Sequence, residues 1–330
     1  MKILPQKYFV VFIICCLLTV LFLPLIGSQP LSLQNIISDP ASLDKLILFN
    51  IRLPRVMFAF LIGASLSLTG SVFQALLRND LATPYTLGVS SGGAFGAILA
   101  LKLNIGFTFF FVPAISLFSI SGSLLSIFII YLIARKSVGI SMYTLILAGV
   151  AISFFFSAFN LFLHYLADFT ETQRMVRWLM GSLDVYGWKY TITIAGALFL
   201  AFLFFFKNHK AFNILLAGDE VALSKGVEVY HLQKLSFFIS SVIIGLAVAF
   251  AGPIGFVGLV VPHVLRLLFG PDHKYVFSGS VVAGGVFLAL CDAFARTIIA
   301  PAELPVGVIT ALLGGPFFIY LLIRRKKTHE

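Results

Sequence analysis

The feature that most constrains this sequence is its succession of apolar runs unbroken by charge, such as 9–26, 107–112 and 199–206. A membrane-spanning strand alternates apolar and polar residues over about ten positions, and these runs do not alternate. They read instead as helices, each needing about 20 predominantly apolar residues to cross a bilayer. Of the 330 residues, 60% are hydrophobic and 11% charged, whereas a soluble domain carries about 25% charged residues. That apolar content supplies about ten helices and leaves little for a soluble domain. The expectation is an all-α polytopic membrane protein, with residues 1–330 forming a single transmembrane domain.

Charges, prolines and glycines divide the runs into ten expected spans: 8–28, 54–76, 84–101, 109–134, 141–164, 189–206, 235–251, 253–269, 276–296 and 305–323. Lys2 and Lys7 before the first run resemble a signal peptide. The run is long for one and lacks a nearby small-residue cleavage site, so it reads as an uncleaved first span. With the N-terminus inside, 15 of the 23 lysines and arginines fall in inner segments. This asymmetry places both termini in the cytoplasm. Three connections are long enough to carry function. They are an outer loop 29–53, an outer helix 170–183 bearing Arg174, Arg177 and Trp178, and an inner loop 207–234. The inner loop holds AGDEVALSKGVEV, in which Asp219 and Glu220 suit a helix start and Gly226 a helix stop.

Motifs that suggest chemistry have plainer readings beside them. Gly88-Val89-Ser90-Ser91-Gly92 matches the hydrolase elbow G-x-S-x-G, which requires a strand-to-helix turn and a His–acid pair. Here it opens an apolar helix, and Gly92 with Gly96, like Gly63 with Ser67, suits close helix packing. The six histidines show no metal-ligand spacing, and Cys15, Cys16 and Cys291 lie in apolar stretches without a CxxC pair. No G-x-x-x-x-G-K-[ST] phosphate loop occurs, so any ATP-driven step belongs to another subunit. Mid-span carboxylates, which an ion-coupled carrier uses, are nearly absent. Asp292 is the best candidate and is also placed to pair with Arg296 at i, i+4. Arg52, Arg55 and Arg296 sit on the expected outer face. They are either snorkelling anchors or a docking surface for an acidic partner.

Taken together and in order, several segments resemble the FecCD-type permeases of ABC importers for iron chelates, haem and cobalamin. These are residues 52–96, beginning RLPRVMFAF; LAGVAIS at 147–153; RWLMGSL at 177–183; GPIGFVGLVVPHVLRLLFGPDHK at 252–274; and ARTIIAPAELPVGVITALLGGPFFIYLL at 295–322. The resemblance implies a ten-span, cobalamin-importer-permease-like fold and a homodimer with its translocation path along the subunit interface. It also implies two cytoplasmic ABC ATPase subunits and a periplasmic or lipid-anchored substrate-binding protein. The setting would be a bacterial cytoplasmic membrane and the cargo a ferric siderophore or related metal chelate, with cobalamin or haem as alternatives. ATP would be used by the partner, leaving this chain without cofactor, metal site or catalytic residue. Arg52, Arg55 and Arg296 map onto the binding-protein docking positions. Gly218, Asp219, Glu220, Ala222, Gly226 and Val227 map onto the ATPase-coupling segment. Asn79, Asp80 and Ser141 map onto the cytoplasmic gate, with Asp80 standing where many relatives place Pro. The rival from another class is an ion-coupled secondary carrier.

Overall fold

The computed structural model describes residues 6–27, 31–39, 42–83, 88–109, 112–135, 141–185 and 187–326. The expected gate segment following Lys136 and the stretch 84–87 lie outside these. Fifteen α-helices are described. They are α1 (Gln6–Phe22), α2 (Leu33–Ser38), α3 (Leu43–Ile47), α4 (Leu53–Leu77), α5 (Val89–Lys102), α6 (Ala114–Ala134), α7 (Met142–Tyr165) and α8 (Phe169–Leu179), then α9 (Lys189–Lys207), α10 (His209–Leu215), α11 (Asp219–Ser224), α12 (Val229–Ala251), α13 (Val257–Phe269), α14 (His273–Thr297) and α15 (Val306–Lys326). A two-residue hairpin, Thr108–Phe109 with Val112–Pro113, precedes α6.

Seven helical segments are long and apolar enough to cross a membrane, and α5, α13 and α15 are shorter apolar helices. Together they occupy the ten expected positions. Four boundaries differ from expectation. The outer loop 29–53 is largely helical, because α3 and one wide π turn (Leu48–Arg52) run straight into α4. The fourth span starts only at Ala114, after the hairpin. The outer helix ends at Leu179, two residues before Gly181 adopts φ +73°. The inner loop 207–234 is mostly α10, α11 and the first turns of α12.

Helix α4 is the axis of the bundle. Within Leu43–Leu77 an apolar stretch of 18 residues is 83% buried, whereas the corresponding stretch of the first span is 11% buried. α14 lies along α4, with α12, α13 and α9 around it, while α5 pairs with α6. Small residues allow close approaches along both of these pairs. A Cβ on Gly63 would strike the Gly284 carbonyl oxygen of α14, and one on Gly96 would strike the Phe118 carbonyl oxygen of α6. Apolar attraction does little between helices already in lipid, so this close contact is what holds them.

Two helix prolines and one helix end supply specific cross-links. A proline within a helix cannot donate to the carbonyl four residues back, and a carbonyl left bare in hydrocarbon is costly. Each freed carbonyl is taken by another element. Asn50 O, released by Pro54, accepts from Gly187 N–H (3.2 Å). Ala249 O, left bare where α12 ends before Pro253, accepts from Ser116 Oγ (2.7 Å). Gly258 O, released by Pro262, accepts from buried Gln74 Nε2 (3.2 Å). Sequence breaks therefore become tertiary hydrogen bonds.

Gly63→Ala is expected to destabilise the detergent-solubilised protein by about 1–3 kcal/mol through overpacking. Gly196→Ala, with open space beyond its Cα, is expected to be neutral or stabilising by up to about 1 kcal/mol. Thermal unfolding of the two variants checks the pair.

Candidate functional site

Among the described residues, ion-paired side chains gather at the two ends of the bundle. At the first end, Arg55 lies one turn into α4, where its guanidinium joins four segments. It donates to Asp292 Oδ1 through Nε (3.2 Å) and Nη2 (3.0 Å), to Glu303 Oε2 (2.8 Å) and to Asp184 Oδ1 (2.6 Å). Arg296 Nε lies 3.0 Å from Asp292 Oδ2, the i, i+4 pair that the spacing suggested, and its Nη1 donates to Ile26 O. Arg52 Nη1 donates to Leu25 O (3.3 Å). All three arginines are buried. Three carboxylates surround Arg55, and one of them, Asp292, also pairs with Arg296, so their charge is balanced inside the chain. This pairing is what makes burial tolerable, since an unpaired buried charge is strongly destabilising. Asp184 and Glu303 are the water-facing members, with side chains 72% and 37% exposed, against 1% for Asp292.

A cleft of about 400 Å³ opens over this cluster, lined by Arg55, Arg177, Asp184, Asp292 and Glu303 among others. Arg177 reaches it from α8. That helix is started by a capping box, in which the Asp168 side chain accepts from Glu171 N–H and Glu171 accepts from Asp168 N–H. Lys102, at the end of α5, donates to Glu171 Oε2 (2.7 Å) and ties α8 down. The hydrogen bond from Lys102, then that from the Asp168 backbone, holds the Glu171 carboxyl below the usual carboxylate range.

At the other end, α4 closes in a Schellman motif. Arg78 adopts the left-handed conformation (φ 46°, ψ 38°), Arg78 N–H bonds Ala75 O, and Asn79 N–H bonds Gln74 O. Asn79 Oδ1 accepts from Leu81 N–H, and Asp80 Oδ1 accepts from Arg266 Nη1 (3.1 Å) on α13. A cavity of about 270 Å³ is lined by Gln74, Arg78, Asn79, Asp80, Arg266 and His273, with Ala75 and Leu216. Two of the three expected gate residues thus meet here. Ser141 does not line this cavity; its hydroxyl caps α7 by accepting from Thr144 N–H.

The expected coupling residues form α11 and its ends. Gly218 (φ +118°) precedes the helix, Asp219 and Glu220 occupy its first turn, and Gly226 (φ +78°) ends it, with Val227 N–H bonded to Ala222 O. Ala222 is fully buried in the chain's own core, so its small size serves internal packing. The apolar side chains that α11 presents outward are Val221 (43% exposed) and Leu223 (42%), which sequence reasoning missed. Beside α11, Asn213 bridges Asp272 and His273, donating through Nδ2 to Asp272 Oδ1 (2.8 Å) and accepting from His273 N–H.

A family model for the FecCD transport family matches residues 11–324. The chain belongs to the FecCD transport family. Among individual relatives, the hemin transport system permease protein of Yersinia pestis is 39% identical, over 85% of this chain and 84% of its own length. The cobalamin import system permease protein of Halobacterium salinarum is 39% identical over 86% and 74%. A solved structure described as an inward-facing conformation of a metal-chelate type ABC transporter superposes with a TM-score of 0.84. It is 30% identical, covering 95% of this chain and 99% of that one.

As a FecCD-family chain it is a multi-pass ABC transporter permease subunit of the cytoplasmic membrane, not itself an ATPase. Membership implies ATPase and binding-protein partners and paired transmembrane domains. The G-x-S-x-G match sits inside this permease fold as a packing element. Gly88 turns into α5 with φ +72°, and Gly92 lies against Gly122 of α6. Among the described residues, no three His, Cys, Asp or Glu side chains group as a metal site.

Asp292→Ala is expected to cost about 3–5 kcal/mol, because it takes the paired carboxylate from buried Arg296 and one of three from Arg55. Asp184→Ala, at the exposed rim, should cost at most about 1 kcal/mol. Thermal unfolding in detergent separates them. Asp272, outside the spans, caps α14. Burial pushes its carboxyl up, but hydrogen bonds from Asn213 and Lys274 N–H outweigh this, leaving it below the usual range. A lowered folded-state value contributes stability above the unfolded pKa of about 3.9 and loses it as pH falls through the folded value. Asp272→Ala should therefore cost about 1 kcal/mol at neutral pH, and the gap to the unsubstituted protein should narrow below about pH 4.

Proposed function

We propose that this chain is the translocating permease of an ATP-driven importer carrying a ferric siderophore or related metal chelate into a bacterial cytoplasm. Two copies pair around the path, and both termini face the cytoplasm. The observation that carries the reading is the sorting of charge. The ion pairs lie at the two ends of the bundle, around Arg55 and α8 at one and around Arg78 and Asp80 at the other. Between them the spans offer buried hydroxyls such as Ser67, Ser123 and Ser240. An ion-coupled carrier places carboxylates mid-span, whereas a neutral, low-affinity path suits a bulky chelate that must enter and leave. The hemin and cobalamin relatives support a chelate cargo.

The Arg55 end is the outer, binding-protein side, with Arg52, Arg55 and Arg296 as its anchors. An acidic partner there exchanges its carboxylate for that of Asp184 or Glu303 on Arg55. The Arg78 end is the cytoplasmic side, with Asn79 and Asp80 at the gate and Ser141 fixing the start of α7 beside it. The segment from Gly218 to Val227 is the ATPase coupling element, its exposed Val221 and Leu223 giving an apolar contact that Asp219 and Glu220 flank.

The test is uptake into proteoliposomes containing the permease, its co-expressed ATPase and the binding protein. Ferrichrome, hemin and cyanocobalamin serve as alternative probes. ATP-dependent accumulation of ferrichrome is expected. Preference for hemin or cyanocobalamin would reassign the cargo, and uptake by the permease alone under a proton gradient would overturn the reading. Leu223→Asp should abolish co-purification with the ATPase while leaving the permease folded.

A further inference from the structure

The residue that follows α4 is where a left-handed backbone is required, and glycine takes such a position at least cost. This chain places Arg78 there instead, and its side chain accounts for the choice. Arg78 Nε donates to Leu215 O at the end of α10 (3.0 Å), and Nη2 donates to Asp219, the first residue of α11. Gln233 of α12, itself buried, also reaches Asp219 Oδ1 (3.4 Å). Two residues beyond Arg78, Asp80 is bonded to Arg266 on α13. One arginine therefore joins the α10–α11 corner to the end of α4, and the next turn of chain joins that end to α13.

The stabilising value of this link is small, because Arg78 and Asp219 are 37% and 42% exposed and ion pairs open to water contribute little. Its geometry is more informative than its energy. α4 is packed along its length against α14 without room for a Cβ at Gly63, so a displacement applied at Arg78 moves α4 as a body rather than bending a loop. We infer that Arg78 is a positioning residue that transmits displacement of α11 to the Asn79–Asp80 end of α4. It thereby couples nucleotide-driven motion to the opening of the path. The inference rests on the reading of α11 as the ATPase contact.

The experiment uses the complex of permease and co-expressed ATPase, with the native cysteines replaced and a nitroxide on Leu81→Cys in each copy. Pulsed electron spin resonance reads the distance between labels before and after trapping with ATP and vanadate. The unsubstituted complex is expected to show a nucleotide-dependent shift. Arg78→Ala should hydrolyse ATP and keep its melting temperature but lose the shift, and Arg78→Lys, which still donates to Asp219, should keep it. A wild-type shift in Arg78→Ala would overturn the proposal. So would equal loss in Arg78→Lys, or no shift in the unsubstituted complex. Failure of the α11 contact reading shows separately, as unimpaired ATPase co-purification by Leu223→Asp.

Discussion

A helix bundle in hydrocarbon has no water with which to satisfy its backbone, and most of what is distinctive in this protein follows from that. Carbonyls freed by Pro54, by the end of α12 and by Pro262 are each bonded by a different element, through Gly187, Ser116 and Gln74. The bonds fix α4 against the start of α9, α12 against α6, and α13 against α4. Small residues at Gly63, Gly96 and Gly284 then bring backbones close enough for dispersion to hold the helices together. The result is a rigid central pair, α4 with α14, that spans the molecule from one polar end to the other.

The two ends of that pair use charge differently. Around Arg55 the charges are buried and balanced. Asp292 lies between two arginines, and Asp184 and Glu303 complete the set from connections at the water-facing rim. Around Arg78 the charges are half-exposed and link short helices to long ones. The first arrangement suits a surface whose partner must compete with internal carboxylates. The second suits a joint, where a weak but directional contact passes on a displacement without greatly stabilising either position.

Burial adds partners that spacing does not show. The placement of Arg55 and Arg296 in the chain says nothing of the carboxylates that fold against them. Asp184 and Glu303 are 129 and 248 residues away from Arg55 in sequence, a separation at which no local pattern reveals a contact. Ala222 is one of the coupling positions that the family resemblance implies. Its burial in the core shows that the outward face of α11 is instead Val221 and Leu223.

Composition and spacing alone determined that the chain is helical, that it has ten apolar segments, and that polar residues collect in identifiable connections. These are one-dimensional properties, because helix length and solvent partition depend on runs of neighbouring residues. Ordered motifs were enough to indicate the family. The caps were legible too: Gly226 ends α11, and Asp292 pairs with Arg296 one turn away. Only the tertiary structure decided that 29–53 is largely helical, which carbonyls the prolines release and to whom, and that Arg78 joins α4 to α11. Each of these depends on groups far apart in the chain competing for the same hydrogen bond, and that competition is settled only when the helices pack.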